Sequence, residues 1–365
     1  MTLRRRLVRI LIILLFFPPL LAAVAGWLVG PGFLHPIRRE LTPDLIKEAD
    51  STFDFLRAQR EDFTVQAPDG VALRGWKVRP PNPSGSWVLV FHGVADNRMG
   101  VIGQAELLLK AGYSVVMMDA RAHGASEGPI ATYGWLERND TKSIIDALLA
   151  SEPVGGGLAH SAAVPSPSTS PSPNPSRQTD RTSAGNAADS GSFTSSTSST
   201  SSTSFHLFAL GESMGAAIAL QSAAADPRIE AVVAEASFAN LREASYDYAG
   251  LRKSALLGKT IFAPFSWTLI YRGEKAAGFP AAGVSPEKSV AERAFPVLLI
   301  CDEDDKALPC RHSEMIFAAA RGPKQLWRVP RAFHTAALGF QPEEFRRRVL
   351  NFFAEAARNH PRNGQ

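Results

Sequence analysis

Cysteine is scarce in this sequence, and the usual motifs for metals and dinucleotides are missing. Cys301 and Cys310 are the only cysteines among 365 residues. There is no H-E-x-x-H motif and no paired C-x-x-C, and no G-x-G-x-x-G follows a predicted strand. We therefore expect neither a metal nor a cofactor. If the chain is exported, a disulfide between the two cysteines is permitted, although two residues alone do not decide it.

Outside its N-terminus the chain has almost no excess charge. The formal net charge is +4, and Arg4, Arg5, Arg6 and Arg9 place four positive charges within nine residues that contain no acid. The remainder is close to neutral, whereas phosphate binding needs a cluster of basic residues on the folded surface. A nucleic-acid partner is therefore disfavoured.

No charged residue occurs from residue 10 to residue 30. A helix of that length reaches about 30 Å, the thickness of a bilayer core, and the preceding arginines favour the cytoplasmic side. We predict that residues 1–35 are a single-pass anchor in the cell membrane, with the rest of the chain extracytoplasmic. The A-V-A sequence at 23–25 is also typical of signal cleavage, and two prolines at 18–19 weaken a straight helix. A secreted or periplasmic protein after cleavage, or a buried helix, are the alternatives.

Large apolar residues are rare from residue 153 to residue 204, where Ser, Thr, Pro and Gly dominate. Such a segment cannot bury enough apolar surface to offset chain entropy. We predict a disordered surface insert within one domain, because long insertions cost little closure entropy and the flanking patterns fit one sheet. A mucin-like glycosylated spacer is the alternative.

The remaining sequence alternates between strand patterns and helical patterns. A hairpin is predicted over residues 62–78, turning at Asp69-Gly70. Apolar strand-like runs occupy residues 87–93, 113–121, 205–211, 229–238, 296–305 and 324–332. Helical patterns occupy about residues 99–111, 136–151, 214–225, 311–321 and 342–358. This alternation predicts an α/β fold, a mostly parallel sheet with helices on both faces, with ligands at the carboxyl ends of the strands.

The segment LFALGESMGAAIAL, residues 207–220, changes from a strand pattern to a helical pattern at a single serine. Its centre, G-E-S-M-G, has the G-x-S-x-G pattern of a nucleophile elbow. Glycines at 211 and 215 allow the helix to pack closely on the strand, and the turn exposes the hydroxyl near a helix N-terminus. We predict that Ser213 is a nucleophile; an ordinary turn serine is the alternative.

A serine nucleophile needs a base, and a carboxylate must orient that base. Five of the eight histidines lie at the end of the N-terminal segment, in the insert, in the tail, at the start of the elbow strand or at a helix start. These are His35, His160, His360, His206 and His312. Three remain, namely His92, His123 and His334, and only His334 falls between the last predicted strand and the final helix. A loop there can reach Ser213, so we predict His334 as the general base.

Four consecutive acidic residues, 302–305, end a predicted buried strand. So many like charges are costly unless one of them is paired. One of these carboxylates should therefore orient His334, and the residues by themselves leave the choice open.

Together these features resemble the α/β-hydrolase superfamily of serine hydrolases, in particular its monoacylglycerol-lipase-like and membrane-anchored members. The resemblance covers residues 60–358 without the insert. In the superfamily an aspartate stands four residues before a proline at this strand end, which implies that Asp305, preceding Pro309, is the acid; Asp304 is the alternative. The chain differs in having Cys-Asp at 301–302, where relatives often have His-Gly.

Two further loops carry the resemblance. The segment FHGVADN, residues 91–97, resembles the family's H-G-x loop, which implies that the amides of Val94 and Met214 form the oxyanion hole. His92 is then expected to brace this loop. The segment DARAHGASEG, residues 119–128, resembles a loop that shapes structure near the site. Its polar residues are therefore expected to support the site without catalysing; these are Asp119, Arg121 and His123.

By the same resemblance, residues 240–285 are expected to form a cap over an acyl pocket. Five apolar side chains of this segment suit an apolar wall; they are Phe262, Phe265, Trp267, Leu269 and Tyr271. Ordinary packing of a helix against the core is the alternative.

The sequence thus predicts a serine hydrolase that cleaves carboxylic esters or thioesters of a small or lipid-like acyl substrate through an acyl-enzyme. A serine aminopeptidase and a non-catalytic, membrane-associated binding protein that retains the fold are the alternatives. Dehalogenation is disfavoured, because that chemistry uses an aspartate at the position of Ser213.

Overall fold

The computed structural model describes residues 3–152, 205–251 and 254–359. The predicted insert, residues 153–204, lies outside the described residues, and so do His160 and His360. Eight strands form one sheet in the described part of the chain. They are β1 Gln59–Gln66, β2 Ala72–Arg79, β3 Trp87–Phe91, β4 Ser114–Met118, β5 Leu207–Glu212, β6 Ala231–Glu235, β7 Val297–Asp302 and β8 Lys324–Val329.

Twelve α-helices accompany these strands within the same described ranges. They are α1 Leu3–Val29, α2 Pro43–Phe55, α3 Ile102–Lys110, α4 Glu137–Ser151, α5 Met214–Ala225, α6 Leu241–Ala249, α7 Ala255–Lys259, α8 Ala263–Ala277, α9 Pro286–Glu292, α10 Arg311–Ala319, α11 Ala337–Phe340 and α12 Pro342–Asn359. The helices predicted from the sequence correspond to α3, α4, α5, α10 and α12, with ends that differ by up to three residues.

The strand order is β1-β2-β4-β3-β5-β6-β7-β8. β1 and β2 form an antiparallel hairpin that turns at Gly70, where φ is +83°, and β2 is antiparallel to β4. Every other neighbouring pair is parallel. The predicted fold class, an α/β-hydrolase fold with a mostly parallel sheet, is confirmed.

Apolar layers cover both faces of the sheet. On one face Phe208 of β5 packs under α12, where its ring stacks on Phe353 with 4.8 Å between centroids. On the other face Ala209, the next residue, joins a layer with Ile145 of α4 and Leu220 of α5. Because central parallel strands are covered on both sides, β5 is buried at every position.

Four helices, α6 to α9, interrupt the strand series between β6 and β7. The first three form the segment for which we predicted a cap, of which residues 252–253 lie outside the described residues. A third apolar cluster lies under these helices, and Leu34, just after α1, is fully buried in it. α1 is long and apolar enough to cross a bilayer, by length and composition, and a signal segment shares those features.

Candidate active site

The turn predicted at residues 207–220 is formed by β5, Ser213 and α5. Ser213 has φ +53° and ψ −119°, a conformation that is strained for any residue with a side chain. A Cβ atom on Gly211 would overlap the carbonyl of Gly215, and one on Gly215 would overlap the carbonyl of Phe91. Glycine is therefore required at both positions for α5 to begin so close to β5 and β3.

The histidine predicted as the base lies in the loop between β8 and α11. His334 Nε2 is 2.9 Å from Ser213 Oγ, and His334 Nδ1 is 2.6 Å from Asp305 Oδ2. With its proton on Nδ1, the imidazole donates to the carboxylate and Nε2 accepts from the serine hydroxyl. Three side chains that are far apart in sequence thus form one hydrogen-bonded row at the carboxyl ends of the strands.

Among the four consecutive acids, Asp305 contacts the imidazole. Its Oδ1 accepts hydrogen bonds from the amides of Ala307 at 2.7 Å and Leu308 at 2.9 Å, and its side chain is fully buried. These bonds fix the carboxylate so that Oδ2 faces the imidazole. Glu303 and Asp304 are exposed, so the alternative acid points away from the row.

Asp302, the first of the four acids, holds the histidine loop instead. Its Oδ2 accepts a hydrogen bond from the amide of Thr335 at 2.9 Å. Burial and the neighbouring charge of Asp305 raise the pKa of Asp302 to about 6. The adjacent Cys301 forms a disulfide with Cys310, and this bond closes the loop that carries the aspartate of the row.

Two more buried carboxyl groups adjoin the row. Burial raises the pKa of Glu212 to about 8, and Gln104 Nε2 donates to its Oε2 at 3.1 Å. Burial and the charge of Asp302 raise the pKa of Glu235 well above its usual value, and its Oε1 accepts from the amide of Ala337 at 2.9 Å. At neutral pH the Glu212 carboxyl is therefore largely protonated and adds little negative charge beside the row.

The residues predicted for the oxyanion hole line the same cavity as the serine. Val94, Met214 and Ser213 all contribute to its wall. Within the part of the chain that the structure describes, neither the Val94 amide nor the Met214 amide donates a hydrogen bond to a protein acceptor. Met214 is the first residue of α5, where amides lack a partner within the helix. Two free donors beside the hydroxyl are what a developing oxyanion requires.

His92 braces the loop before Val94, in line with its predicted role. Its Nδ1 donates to the carbonyl of Gly93 at 2.7 Å, and its Nε2 accepts from the amide of Ala120 at 3.0 Å. His123 packs against it with 5.2 Å between ring centroids. Burial lowers the pKa of both, that of His123 to about 4, so both imidazoles are neutral at pH 7.

Buried ion pairs hold the loop at residues 119–128. Asp119 pairs with Arg98 at 2.7 Å, and Arg121 pairs with Asp140 at 2.6 Å. These contacts tie the loop after β4 to the loop after β3 and to α4. The geometry agrees with supporting roles, because the partners of both residues are loop and helix groups outside the row.

A cavity of about 310 Å³ adjoins Ser213. Its wall is mainly aromatic and aliphatic and includes Phe33, Tyr133, Phe238, Tyr248, Phe265 and Leu269. Two of the five predicted wall residues, Phe265 and Leu269, therefore line it. Trp267 and Tyr271 lie on the outer face of α8 instead, 55% and 49% exposed, because a helix turns successive residues in different directions.

Sequence reasoning missed Phe33 and Tyr133. Phe33 lies in the segment predicted as the anchor, but its carbonyl accepts a hydrogen bond from Tyr133 Oη at 2.7 Å. The rings of the two residues are 6.0 Å apart. The one local signal in the sequence is the apolar pair Phe33-Leu34 after the uncharged span of residues 10–30, since apolar residues there can pack against the next domain.

Comparisons with known proteins identify the family. The sequence model of the X-Pro dipeptidyl-peptidase (S15) family matches residues 61–264, more than half of the chain. Two relatives are named as uncharacterized proteins. YqkD of Bacillus subtilis is 25% identical over 351 residues, which cover 93% of this chain and 96% of YqkD. YfhR of Salmonella typhi is 27% identical over 307 residues, which cover 82% of this chain and 83% of YfhR.

Solved structures share the fold at low identity. The Pyrococcus furiosus esterase Pf2001 aligns with a TM-score of 0.59 and 20% identity over 88% of this chain and 99% of its own. The Pyrococcus horikoshii acylaminoacyl peptidase aligns with a TM-score of 0.52 and 13% identity over 84% of this chain and 43% of its own. The chain is thus a serine hydrolase of the α/β-hydrolase superfamily and belongs to the X-Pro dipeptidyl-peptidase (S15) family.

Proposed function

We propose that this hydrolase cleaves carboxylic esters or thioesters through an acyl-enzyme, with Ser213, His334 and Asp305 as its catalytic residues. The observation that carries the proposal is the hydrogen-bonded row of these side chains beside an apolar cavity. This arrangement supports a nucleophile, a general base and an orienting carboxylate in that order.

The first half of the reaction forms the acyl-enzyme. Ser213 Oγ attacks the carbonyl carbon while His334 Nε2 takes its proton, and Asp305 stabilises the resulting imidazolium. The amides of Val94 and Met214 bind the negative oxygen of the tetrahedral intermediate. The imidazolium then protonates the departing alkoxide or thiolate.

The second half reverses these roles with water as the nucleophile. His334 Nε2 takes a proton from water, whose oxygen attacks the acyl carbon, and the proton returns to Ser213 Oγ as the carboxylic acid leaves. No cofactor is needed at any step.

The cavity favours an acyl substrate over an aminopeptidase substrate. An aminopeptidase needs an anion for the substrate ammonium group, because a buried unpaired charge is costly. Asp, Glu, Lys and Arg are all missing from the described residues that line the cavity. An acyl chain gains free energy in such a wall through burial of its methylene groups.

Peptide cleavage is the second candidate function. The match to a family described as X-Pro dipeptidyl-peptidase favours it, and a structural neighbour is named as an acylaminoacyl peptidase. The same row of residues can cleave an amide, provided that the leaving amine is protonated.

For the cellular setting we propose that residues 1–35 anchor the chain in the cell membrane and that residues 60–358 form an extracytoplasmic hydrolase domain. The apolar helix α1 and the four arginines on its N-terminal flank support this orientation. A secreted or periplasmic protein after signal cleavage is the alternative.

Labelling by a fluorophosphonate probe tests the serine hydrolase activity. Labelling of the wild type that disappears in Ser213→Ala supports it, whereas a folded wild type that takes no label supports the non-catalytic binding protein. A panel of p-nitrophenyl esters of increasing chain length and of aminoacyl and X-Pro p-nitroanilides then separates the two substrate classes. Faster cleavage of the anilides would overturn the ester proposal.

A further inference from the structure

α1 is packed directly against the cap helix α8. The hydroxyl oxygen of Thr268 lies 2.8 Å from the carbonyl oxygen of Ala23, and the rings of Trp27 and Tyr271 stack with 6.2 Å between centroids. A Cβ on Gly26 would overlap the backbone of α8, so a glycine permits the close approach. Contacts advance along both helices together, which means that the two helices run in the same direction.

Near the C-terminal ends of α1 and α8, the contact contains residues that are typical of a membrane surface. The guanidinium of Arg272 lies 4.6 Å from the ring centre of Trp27, and the ammonium of Lys275 lies 5.8 Å from that of Tyr271. Aromatic rings with basic residues are typical of the boundary between hydrocarbon and water. Because the helices are parallel, the residues that precede this level in α8 lie deeper toward the bilayer.

The free part of α1 is too short to span a bilayer alone. Residues 10–21 carry no charge and precede Ala22, the first buried residue among those side chains of α1 that the structure describes. They reach about 18 Å, whereas a bilayer core is about 30 Å thick. The arginines at residues 4–9 cannot supply the missing length, since charged side chains avoid the core. The remaining length lies in the part of α1 that α8 covers, so the start of α8 is at hydrocarbon depth.

The outer face of the cap has the apolar side chains that such a depth requires. Leu256 is 70% exposed, Ile261 45% and Trp267 55%. A charged group nearby, Lys259, pairs with Glu243 at 2.8 Å, which reduces the cost of placing it near lipid. An exposed apolar surface of this kind marks a docking site, and α1 holds it against the bilayer.

The inner face of the same helix lines the active-site cavity through Phe265 and Leu269. We propose that the outer face of α7 and α8 is immersed in the membrane leaflet opposite the cytoplasm and that long-chain acyl substrates enter the cavity from this leaflet. The proposal rests on the proposed esterase function and on retention of α1. It defines the substrate class as acyl lipids dissolved in a bilayer.

A pair of matched substrates tests the route of entry. The full chain is reconstituted in phosphatidylcholine vesicles and assayed with p-nitrophenyl butyrate in water and with p-nitrophenyl palmitate in the bilayer. In a variant carrying Leu256→Asp and Ile261→Asp, we expect about a tenfold loss on palmitate and a butyrate rate within about twofold of the wild type. Phe55→Asp, on a side chain that is 81% exposed outside the cap, is the control and should leave both rates unchanged.

The outcomes separate this proposal from the proposed function. Palmitate cleavage that survives in the double variant overturns the route of entry, as does a mature protein that lacks α1. Cleavage of butyrate without palmitate overturns the substrate class and leaves the esterase standing. If neither ester is cleaved in a Ser213-dependent way, the proposed function fails, and the acyl substrate class is overturned with it.

A measurement independent of activity tests the membrane contact. Both native cysteines are paired in a disulfide, so Ile261→Cys offers a single free thiol for an environment-sensitive fluorophore. Brominated phosphatidylcholine should quench this label and should leave a label at Phe55→Cys bright. Equal fluorescence at both positions, with or without brominated lipid, overturns the contact whatever the activity.

Discussion

The strand-end site, namely Ser213, His334 and Asp305 with the loops that carry them, and the cap formed by α6 to α8 are built in opposite ways. At the strand-end site each reacting group is held by a second polar group, as the amides of Ala307 and Leu308 hold Asp305. On the cap, the outer face of α8 leaves large apolar side chains exposed. This difference is the one that our proposals require, with the chemistry at the strand ends and the entry of substrate at the cap.

The largest effect is expected at the nucleophile. Ser213→Ala removes the attacking oxygen and should lower kcat for p-nitrophenyl butyrate by about 10⁶, with a residual rate from the oxyanion hole. The control is Ser245→Ala, because Ser245 lines the same cavity but donates to the carbonyl of Arg242 at 2.7 Å. A similar loss in both variants would mean that the cavity, and not the strand-end site, carries the effect.

The second effect separates two neighbouring acids. Asp305→Asn should lower kcat by about 10⁴, since an amide no longer holds the imidazole in the required tautomer. The exposed Asp304 provides the matched control, and Asp304→Asn should retain nearly full activity. Steady-state kinetics on the same ester distinguish them, and the reverse ranking would contradict the assignment.

The third effect concerns the rigidity of the elbow. In Gly215→Ala the new Cβ overlaps the backbone of Phe91, so we expect the free energy of unfolding to fall by about 3 kcal/mol. Gly339→Ala is the control, because a Cβ there meets no atom within 4 Å. Urea unfolding compares the two. Equal stability would show that α5 can move away from β3 at little cost.

The fourth effect depends on pH. The pKa of Glu212 is about 8 in the folded protein against an ordinary 4.5, so from about pH 5 to pH 8 the folded chain binds a proton that the unfolded chain has lost. This group therefore lowers stability as the pH rises, by up to about 1.4 kcal/mol per pH unit. Glu212→Gln should gain stability relative to the wild type over that range.

Urea unfolding at pH 5.5 and pH 8 measures this gain. The exposed Glu303 serves as the control, and Glu303→Gln should follow the wild type at both values. A difference between Glu212→Gln and the wild type that does not grow with pH would indicate that Glu212 is already ionised in the fold.

The smallest effect is expected on the inner face of the cap. Phe265→Ala should lower kcat/KM for p-nitrophenyl octanoate about tenfold relative to the acetate, because a longer chain loses apolar contact. Trp267→Ala, two residues away on the outer face, should leave this ratio unchanged for esters dissolved in water. An equal change in both variants would contradict the prediction that only the inner face of α8 contacts the acyl chain.

Much of the fold and the site could be predicted from local patterns. The change from strand to helix at residues 207–220 predicted the elbow, and the place of His334 after the last strand predicted which loop reaches it. The structure brings these side chains within hydrogen-bond distance. Their catalytic roles stay predictions until the variants are assayed.

Other features could not be read locally. Nothing near Phe33 in sequence indicates Tyr133, a hundred residues away, or the cavity that they share. Helical spacing alone also did not separate the inner residues of α8 from the outer ones, because both faces are apolar.

The sequence by itself determined the α/β alternation, the elbow and the apolar N-terminal helix, because each of these follows from short-range sterics, periodicity or charge. Only the tertiary structure decided that Asp305 and not Asp304 meets the imidazole, and that α1 lies along the cap. The first depends on His334, which is 29 residues further along the chain, and the second on α8, whose Thr268 contacts Ala23 across 245 residues. No local pattern encodes contacts between residues so far apart in sequence.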